Sequence, residues 1–514
     1  MGAEASSYDQ VPYTSHAFPQ THPDHLAAIA RIFGLSPPDV ARCRVLELGC
    51  ASGGNIIPLA FNLPGSEFVG VDFSRHQVDD GRAAIHALNL PNIRIEAASI
   101  LDVDASWGTF DYILCHGVFS WVEPAVQDKV LEIAGGQLHA NGIVYISYNT
   151  YPGWHMRQMV RDMMRYHAGQ FTDAKEQLAQ ARALLSFLAT AAQSSGAYGQ
   201  LLAAEAERAS HASDSYLFHE HLERSNLPLY FHQFIDRAER AGLQFLSEAV
   251  VSEMLTSHFP PAVAETLERI SPDILHLEQY MDFVRNRQFR QTLLCRADAH
   301  PTRALSASAL HGLLLSSAAV ADPPEVGQDD APVVFSNGRQ RAEVRKPATK
   351  AALAALADAW PCAIEVDRLC DLALERSSPL EAAGPPSDAR EAMLEDLFGA
   401  VMYGLVGLHT QAPPCTNRPS TQPRAHPVSA LQAESGAIVV NAHHQMLELG
   451  PLEREVLRLS TGERRRDEML DLLARASATR DADTAAARGG DAAALSERLD
   501  RTLDMLTRSA LFVA

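Results

Sequence analysis

Five apolar runs of strand length follow one another from Arg44, each separated from the next by an amphipathic stretch. They are Arg44 to Gly49, Glu67 to Phe73, Ile93 to Ala98, Phe110 to Cys115 and Gly142 to Ser147. Helical patterns fall between them near Asn55 to Ala60, His76 to Leu88 and Pro124 to Gln137, the last closing at Asn141-Gly142. Strands that alternate with helices bury both faces of a sheet, which predicts a doubly wound α/β unit with its ligand crevice at the strands' C-terminal ends. The chain has 514 residues, too many for one such unit.

Boundaries drawn on pattern and composition give seven pieces. Residues 1–40 form an amino-terminal lid segment and helix, and 41–155 the Rossmann-like domain. Residues 156–213 are a helical insertion, with long helical patterns from His155 to Gly169 and Asp173 to Ser194 and then a polar Ala/Ser/Gly stretch. Residues 214–300 carry aromatic and histidine-rich blocks, Tyr216 to Phe245 and Leu277 to Cys295. In 301–411 a Pro/Asp/Gly-rich loop (Ala321 to Pro332), two short strand-like runs and a helix from Ala348 to Trp360 read as a winged-helix-like unit. A Pro-rich linker spans 412–427 and a small α/β domain 428–514.

Acidic residues outnumber basic ones 63 to 43, for a formal charge of -20. A nucleic-acid binder needs a basic face, so that class is excluded; a basic polypeptide or a cationic amine is attracted instead. The seven cysteines are scattered and never form a CxxC pair, which predicts a reducing, cytoplasmic setting without a disulfide framework. Met1 to Tyr13 lacks the pattern of a secretory leader, and the apolar window Ala304 to Ala321 is too interrupted for membrane insertion. No metal is expected: His219-Glu220-His221 lacks the i, i+4 histidine spacing and reads as structural. No P-loop or nucleophile-elbow pattern occurs.

The most informative stretch is Glu47-Leu48-Gly49-Cys50-Ala51-Ser52-Gly53-Gly54-Asn55, which ends the first strand and opens a helix. Glycines let a ligand lie on bare main chain, and the helix start offers unpaired N–H groups. Ala51 stands at the middle glycine position of GxGxxG, which disfavours a dinucleotide pyrophosphate and favours a smaller nucleoside-type ligand. Asp72 ends the second strand, where a carboxylate can accept both hydroxyl protons of a ribose. Two acids without a nearby Lys or Arg repel phosphate and suit the sulfonium and ammonium of S-adenosylmethionine. Spacing alone also fits an acidic strand end beside a glycine turn with no ligand.

This loop, together with Val69-Gly70-Val71-Asp72-Phe73-Ser74, resembles motifs one and two of class I methyltransferases. More narrowly, the chain resembles bacterial methyltransferases that carry a methyltransferase regulatory domain, a family including the rickettsial outer-membrane-protein lysine methyltransferases. The stretches that carry the resemblance are Val11-Pro12-Tyr13, 18–23, 115–122, 147–155, 216–220 and 278–287. It is strong over residues 8–300 and weaker beyond. The resemblance implies a class I Rossmann-like methyltransferase domain at 41–155, a regulatory domain at 214–300, a protein acceptor and a homodimer joined through 156–213. It also implies S-adenosylmethionine as cofactor, with S-adenosylhomocysteine as product. Glu47, Gly49, Cys50, Ser52, Gly53 and Asn55 should line its methionine and ribose. Asp72, Phe73 and Ser74 should hold the ribose side, and Ser99-Ile100-Leu101 should bracket adenine, with Asp102 as the alternative to Ser99. His116 and Val118 should border the sulfonium. Tyr13 and Thr21 belong to a lid in this reading, or Tyr13 is a packing aromatic.

Methyl transfer from sulfonium is an in-line displacement that needs alignment, desolvation and a neutral nucleophile. Aromatic, amide and hydroxyl groups at strand ends supply this, and they cluster at 116–121 and 148–155. Asn149 and Tyr151 are the expected amine-orienting groups and Trp121 and Tyr148 the walls. His116 is either a proton acceptor or a scaffold, and loop packing is the alternative for the cluster. The expected function is N-methylation of protein lysine side chains. The alternatives are a small-molecule N- or O-methyltransferase and a cofactor-binding regulatory module without catalysis.

Overall fold

The computed structural model describes residues 15–377, 386–480 and 491–513. Helix α1 (Pro23–Ile32) leads into β1 (Arg44–Leu48), followed by α2 (Ile56–Asn62), β2 (Glu67–Asp72), α3 (Arg75–Ala87), β3 (Ile93–Ala97), β4 (Phe110–Cys115), α4 (Pro124–Gln137) and β5 (Leu138–Asn149). Proline, whose missing N–H costs nothing in a first turn, opens several helices: Pro23, Pro124, Pro261, Pro347, Pro427 and Pro451. The five expected strands are present. The fifth starts earlier than the sequence suggests, because Asn141-Gly142 falls in an irregularity of the β4–β5 pairing rather than at a helix stop.

The sheet has seven strands, not five. Three helices, α5 (Gly153–Ala168), α6 (Ala174–Ala191) and α7 (Gly196–His211), follow β5; α7 occupies the stretch whose polar composition suggested no element. They enclose their own core of Val160, Met164, Leu178, Leu185, Leu202 and Leu217. The chain then turns through a π-helical segment, Phe218–Leu222, to α8 (Phe231–Arg240) and β6 (Leu243–Glu248). Helices α9 (Pro261–Ile270) and α10 (Ile274–Arg285) precede β7 (Phe289–Arg296). Strand order is β3-β2-β1-β4-β5-β7-β6, with β1 to β5 parallel and β7 antiparallel to both neighbours. The seven-stranded sheet is therefore completed by residues from the segment beyond the helical insertion.

What holds that segment in place is a buried charge cluster. Arg290 on β7 is 0% exposed and bonds Glu248 of β6 (2.7 Å) and Glu278 and Asp282 of α10 (3.0 and 2.8 Å). Its guanidinium lies 3.9 Å from the centre of the Phe231 ring. Arg287 joins Glu248 from the other side at 2.9 Å. The charged members of the 278–287 motif thus fasten α10 to the last strands.

Beyond 300 lie β8 (Leu314–Ser316), β9 (Val320–Asp322), β10 (Val333–Ser336), β11 (Arg341–Val344), α11 (Pro347–Ala359), β12 (Ile364–Glu365), α12 (Val366–Ser377), α13 (Pro386–Met402) and β13 (Gly407–His409). These form two three-stranded sheets, β11-β10-β9 and β12-β8-β13, so the expected hairpin has a third strand from the supposed loop. The chain ends in α14 (Pro427–Ser435), the hairpin β14 (Ile438–Val440) and β15 (Met446–Glu448), α15 (Pro451–Leu459), α16 (Arg466–Arg480) and α17 (Asp491–Arg508) around a separate core that includes Val456, Leu457, Leu499 and Phe512. The Pro-rich 412–427 stretch is anchored at its end: Ala425 and His426 are buried, and Ala425 bridges Phe512. Asp24 at the start of α1 accepts from His409 Nδ1 (3.0 Å) and from the Thr410 and Gln411 amides (2.7 and 3.1 Å), clamping β13 to the amino-terminal helix. Among the described residues no helix is long and apolar enough to cross a membrane.

Removing one partner of a buried ion cluster strands the others without water. Arg290→Met should destabilise the chain by about 3–5 kcal/mol at neutral pH, and the deficit should shrink as pH falls and the stranded carboxylates protonate. Urea unfolding at several pH values checks both.

Candidate functional site

Sheet order reverses between β1 and β4, and the crevice beyond their C-terminal ends is a cavity of about 660 Å³. Its floor is the glycine loop. Gly49 takes φ +76°, and a Cβ there would come within 2.4 Å of Val118, so this turn closes only on glycine. Gly54 is needed for another reason. The segment 15–18 lies across it, Ser15 Oγ accepts the Gly54 N–H at 2.8 Å, and a Cβ would meet the Ser15 carbonyl at 2.6 Å.

Glu47, buried beneath the loop, accepts from Asn55 Nδ2 at 2.7 Å through Oε1, while its Oε2 is buried without a hydrogen-bond partner. Burial pushes its carboxyl up to about 7; the Asn55 hydrogen bond opposes the rise and the nearby charge of Asp72 adds to it. Asp72 is held open at the end of β2 by two backbone amides, Ala51 N–H on Oδ2 (2.8 Å) and Ser74 N–H on Oδ1 (2.9 Å). Phe73, 73% exposed, stands at the cavity lip beside Ser74. Ser99 and Ile100 form the facing edge. Asp102 does not reach it: it accepts the Ser99 N–H at 3.1 Å while Ser99 Oγ accepts the Leu101 N–H at 3.2 Å, a reciprocal cap that commits both side chains locally.

His116 lines the cavity with Val118 and Cys50. Its Nδ1 meets the Tyr145 hydroxyl at 2.7 Å, its ring lies 3.7 Å from that of Phe18, and burial lowers it to about 3. At the far end stand Asn149, Trp121 and Trp154, the two indoles edge to face at 6.0 Å. Arg157 lies 5.2 Å over Trp154 and bonds Glu220 of the π-helical turn at 2.9 Å.

Several residues singled out in the sequence sit elsewhere. Tyr13 lies outside the described residues. Thr21 is buried behind the floor, 3.1 Å from Asn55 Oδ1. Ser52 and Gly53 face α3 and the sheet: the Ser52 carbonyl crowds Gly81, and a Cβ at Gly53 would strike Ile57 and Ile95. Tyr148 packs in the core, stacked 4.1 Å from Phe234 with its hydroxyl 3.2 Å from Thr292 Oγ1. Tyr151 lines a separate surface groove beside Leu229 and stacks on His155 at 4.0 Å. Sequence reasoning passed over Phe18, Trp154, Arg157, Glu220 and Phe289 as wall residues. Phe18, Trp154 and Glu220 lay inside the quoted motifs, so the motifs themselves were the signal. Among the described residues no cluster of His, Cys, Asp and Glu could hold a metal.

The donor set fits S-adenosylmethionine: an orphaned buried carboxylate oxygen for an ammonium, a second carboxylate for a ribose, bare main chain between them and, among the described residues, no basic side chain on the floor. Comparison with known proteins agrees. Residues 46–144 match the methyltransferase domain family, 213–296 the predicted methyltransferase regulatory domain and 421–511 the PKMT C-terminal winged helix domain. A winged helix therefore falls on the stretch read as linker and small α/β domain. Uncharacterized protein RP789 of Rickettsia prowazekii is 46% identical over 297 residues, 58% of this chain, but only about half (54%) of its own length is spanned. RP028 of the same organism is 42% identical over 241 residues, 47% of this chain and 96% of that protein. The structure of PKMT2 from Rickettsia typhi in complex with AdoHcy superimposes with a TM-score of 0.86 at 29% identity, covering 98% of this chain and all of that one. The chain belongs to the class I S-adenosylmethionine-dependent methyltransferases that carry a methyltransferase regulatory domain and a C-terminal winged helix.

Proposed function

We propose that the chain methylates an amine nitrogen, the ε-amine of lysine in a protein acceptor. The observation that carries this reading is one continuous cavity with two chemically distinct ends, carboxylates on the floor and Trp121, Trp154 and Asn149 at the mouth of β5. Kinship with PKMT2 and the resemblance to rickettsial lysine methyltransferases support the protein acceptor. The acidic net charge of -20 favours a basic polypeptide.

When bound, S-adenosylmethionine supplies an electrophilic methyl group on sulfur. Glu47 Oε2 takes the ammonium, Asp72 the ribose hydroxyls, and Phe73 with Ile100 flanks the adenine. The acceptor amine must arrive neutral. For a lysine of pKa about 10.4 at pH 7.4 that costs roughly 4 kcal/mol in water, which the indole walls reduce by desolvating the ammonium. Asn149 Nδ2 donates to Asn226 at 2.9 Å, leaving Oδ1 to accept an amine N–H. His116, neutral and held by Tyr145, is too weak a base to take that proton and acts as a wall. The homodimer and cytoplasmic setting stand as parts of this proposal.

Three outcomes are expected. Because Glu47 is ionised only above about 7, affinity for the cationic cofactor should fall as pH drops below that value, up to about tenfold per unit, and Glu47→Gln should flatten the dependence; calorimetric titration across pH 5.5–8.5, an interval about that value, reads both. Asn149→Ala should lower kcat on the order of a hundredfold with cofactor affinity unchanged, measured by turnover and titration on one sample. Deuterated cofactor incubated with lysate should place label on protein lysines found by mass spectrometry, whereas label confined to small metabolites would overturn the protein acceptor.

A further inference from the structure

The helix that starts at the cofactor loop, α2, is gripped at both ends by the winged-helix unit more than three hundred residues away. At its C-terminal end His426 Nε2 meets Asn62 Oδ1 at 2.8 Å, and the His426 ring sits edge-on to Phe61 at 4.8 Å. At its N-terminal end His444 Nε2 meets Asn55 Oδ1 at 2.8 Å. His444 forms the tip of the β14–β15 hairpin and is completely buried. The Asn441 carboxamide shapes that tip, its Oδ1 accepting the His443 and Gln445 amides at 3.0 and 2.9 Å. Beside it Ala17, Val428 and Val440 pack together with Phe61 and Met446, so the hairpin is seated on α2 by apolar contact as well.

The hydrogen-bond directions at Asn55 are set by chemistry. The Phe18 backbone N–H can only donate, and it lies 3.0 Å from Asn55 Oδ1, so the oxygen of this amide faces away from Glu47 and Nδ2 faces toward it. His444 meets the same oxygen, so its Nε2 carries the ring proton. Burial holds the ring well below its ordinary range, in the neutral form. Donors on Oδ1 from the amino-terminal segment, the Phe18 N–H with the Thr21 hydroxyl 3.1 Å away, and from the hairpin, His444, therefore keep Nδ2 aimed at Glu47 Oε1 and leave Oε2 as the unshared acceptor in the floor.

We infer that His444 is a positioning residue for cofactor binding: by donating to Asn55 it fixes the amide that holds Glu47, and so makes the winged-helix unit part of the cofactor site. The inference rests on the assignment of Glu47 to the cofactor's ammonium. Without the His444 donor Asn55 Oδ1 is left to the amino-terminal segment alone, the amide is held less firmly, and Glu47 is less well oriented for the ligand.

The test is calorimetric titration of the full chain with AdoHcy for the unchanged protein, His444→Met and His444→Gln. The two replacements are of similar length and differ in the amide donor. Loss of one buried hydrogen bond to Asn55 Oδ1 should weaken binding about tenfold in His444→Met, and His444→Gln should stay within about threefold of the unchanged chain. If His444→Met binds as the unchanged chain does, or if both variants lose affinity equally, the donated proton is not what positions Glu47 and the inference fails. A loss in His444→Gln as large as expected for His444→Met, at an unaltered melting temperature, overturns it as well. An unchanged chain that takes up no AdoHcy overturns the cofactor assignment and this inference with it.

Discussion

One neutral amide, the Asn55 side chain, joins three parts of the chain to one carboxylate. It donates to Glu47 and receives Phe18 and His444, from residues that sit 37 and 389 positions away. A carboxylate as deeply buried as Glu47 is costly unless something bonds it, and a protein cation would compete with the ligand for it. An amide satisfies one oxygen without neutralising the charge, leaving the other for a cationic ligand. The rest of the architecture serves this bond. The glycine loop sets Asn55 at the start of α2, the 15–18 segment lies over Gly54, and the C-terminal hairpin presses from behind.

The same economy of charge runs through the cavity. Among the described residues no basic side chain lies on its floor, so a phosphate would meet two acids there that suit a sulfonium nucleoside instead. The other end is the one proposed to take the acceptor. There Trp121 and Trp154 would exclude water, which penalises a protonated amine and favours the neutral nucleophile. Glu220, brought in by a π-helical turn, balances Arg157 so that the cation itself can be buried. In this chain the winged helix has its hairpin tip turned into the catalytic domain.

The parallel core was legible because β1 to β5 are plain apolar runs with a glycine loop after the first. β6 and β7 were not, because Glu248, Arg290 and Thr292 read as surface residues in a strand, yet each is buried and satisfied by the others. The 333–360 stretch reads as a winged helix in pattern, whereas the family match puts a winged helix at 421–511. In the site, residues adjacent to the glycine loop were readable from spacing. Tyr148 was misplaced by parity: neighbours in a strand face opposite sides, so Asn149 reaches the cavity while Tyr148 goes into the core. His444 left no local sign, since its partner is set by tertiary docking alone.

The central claim is that three separate stretches build a single cofactor site. Amide hydrogen exchange of the full chain with and without AdoHcy tests it directly. The account predicts added protection at 15–20, at 47–55 and at 441–445 together. Protection confined to the glycine loop and the β2 end, with the hairpin tip unchanged, would contradict it.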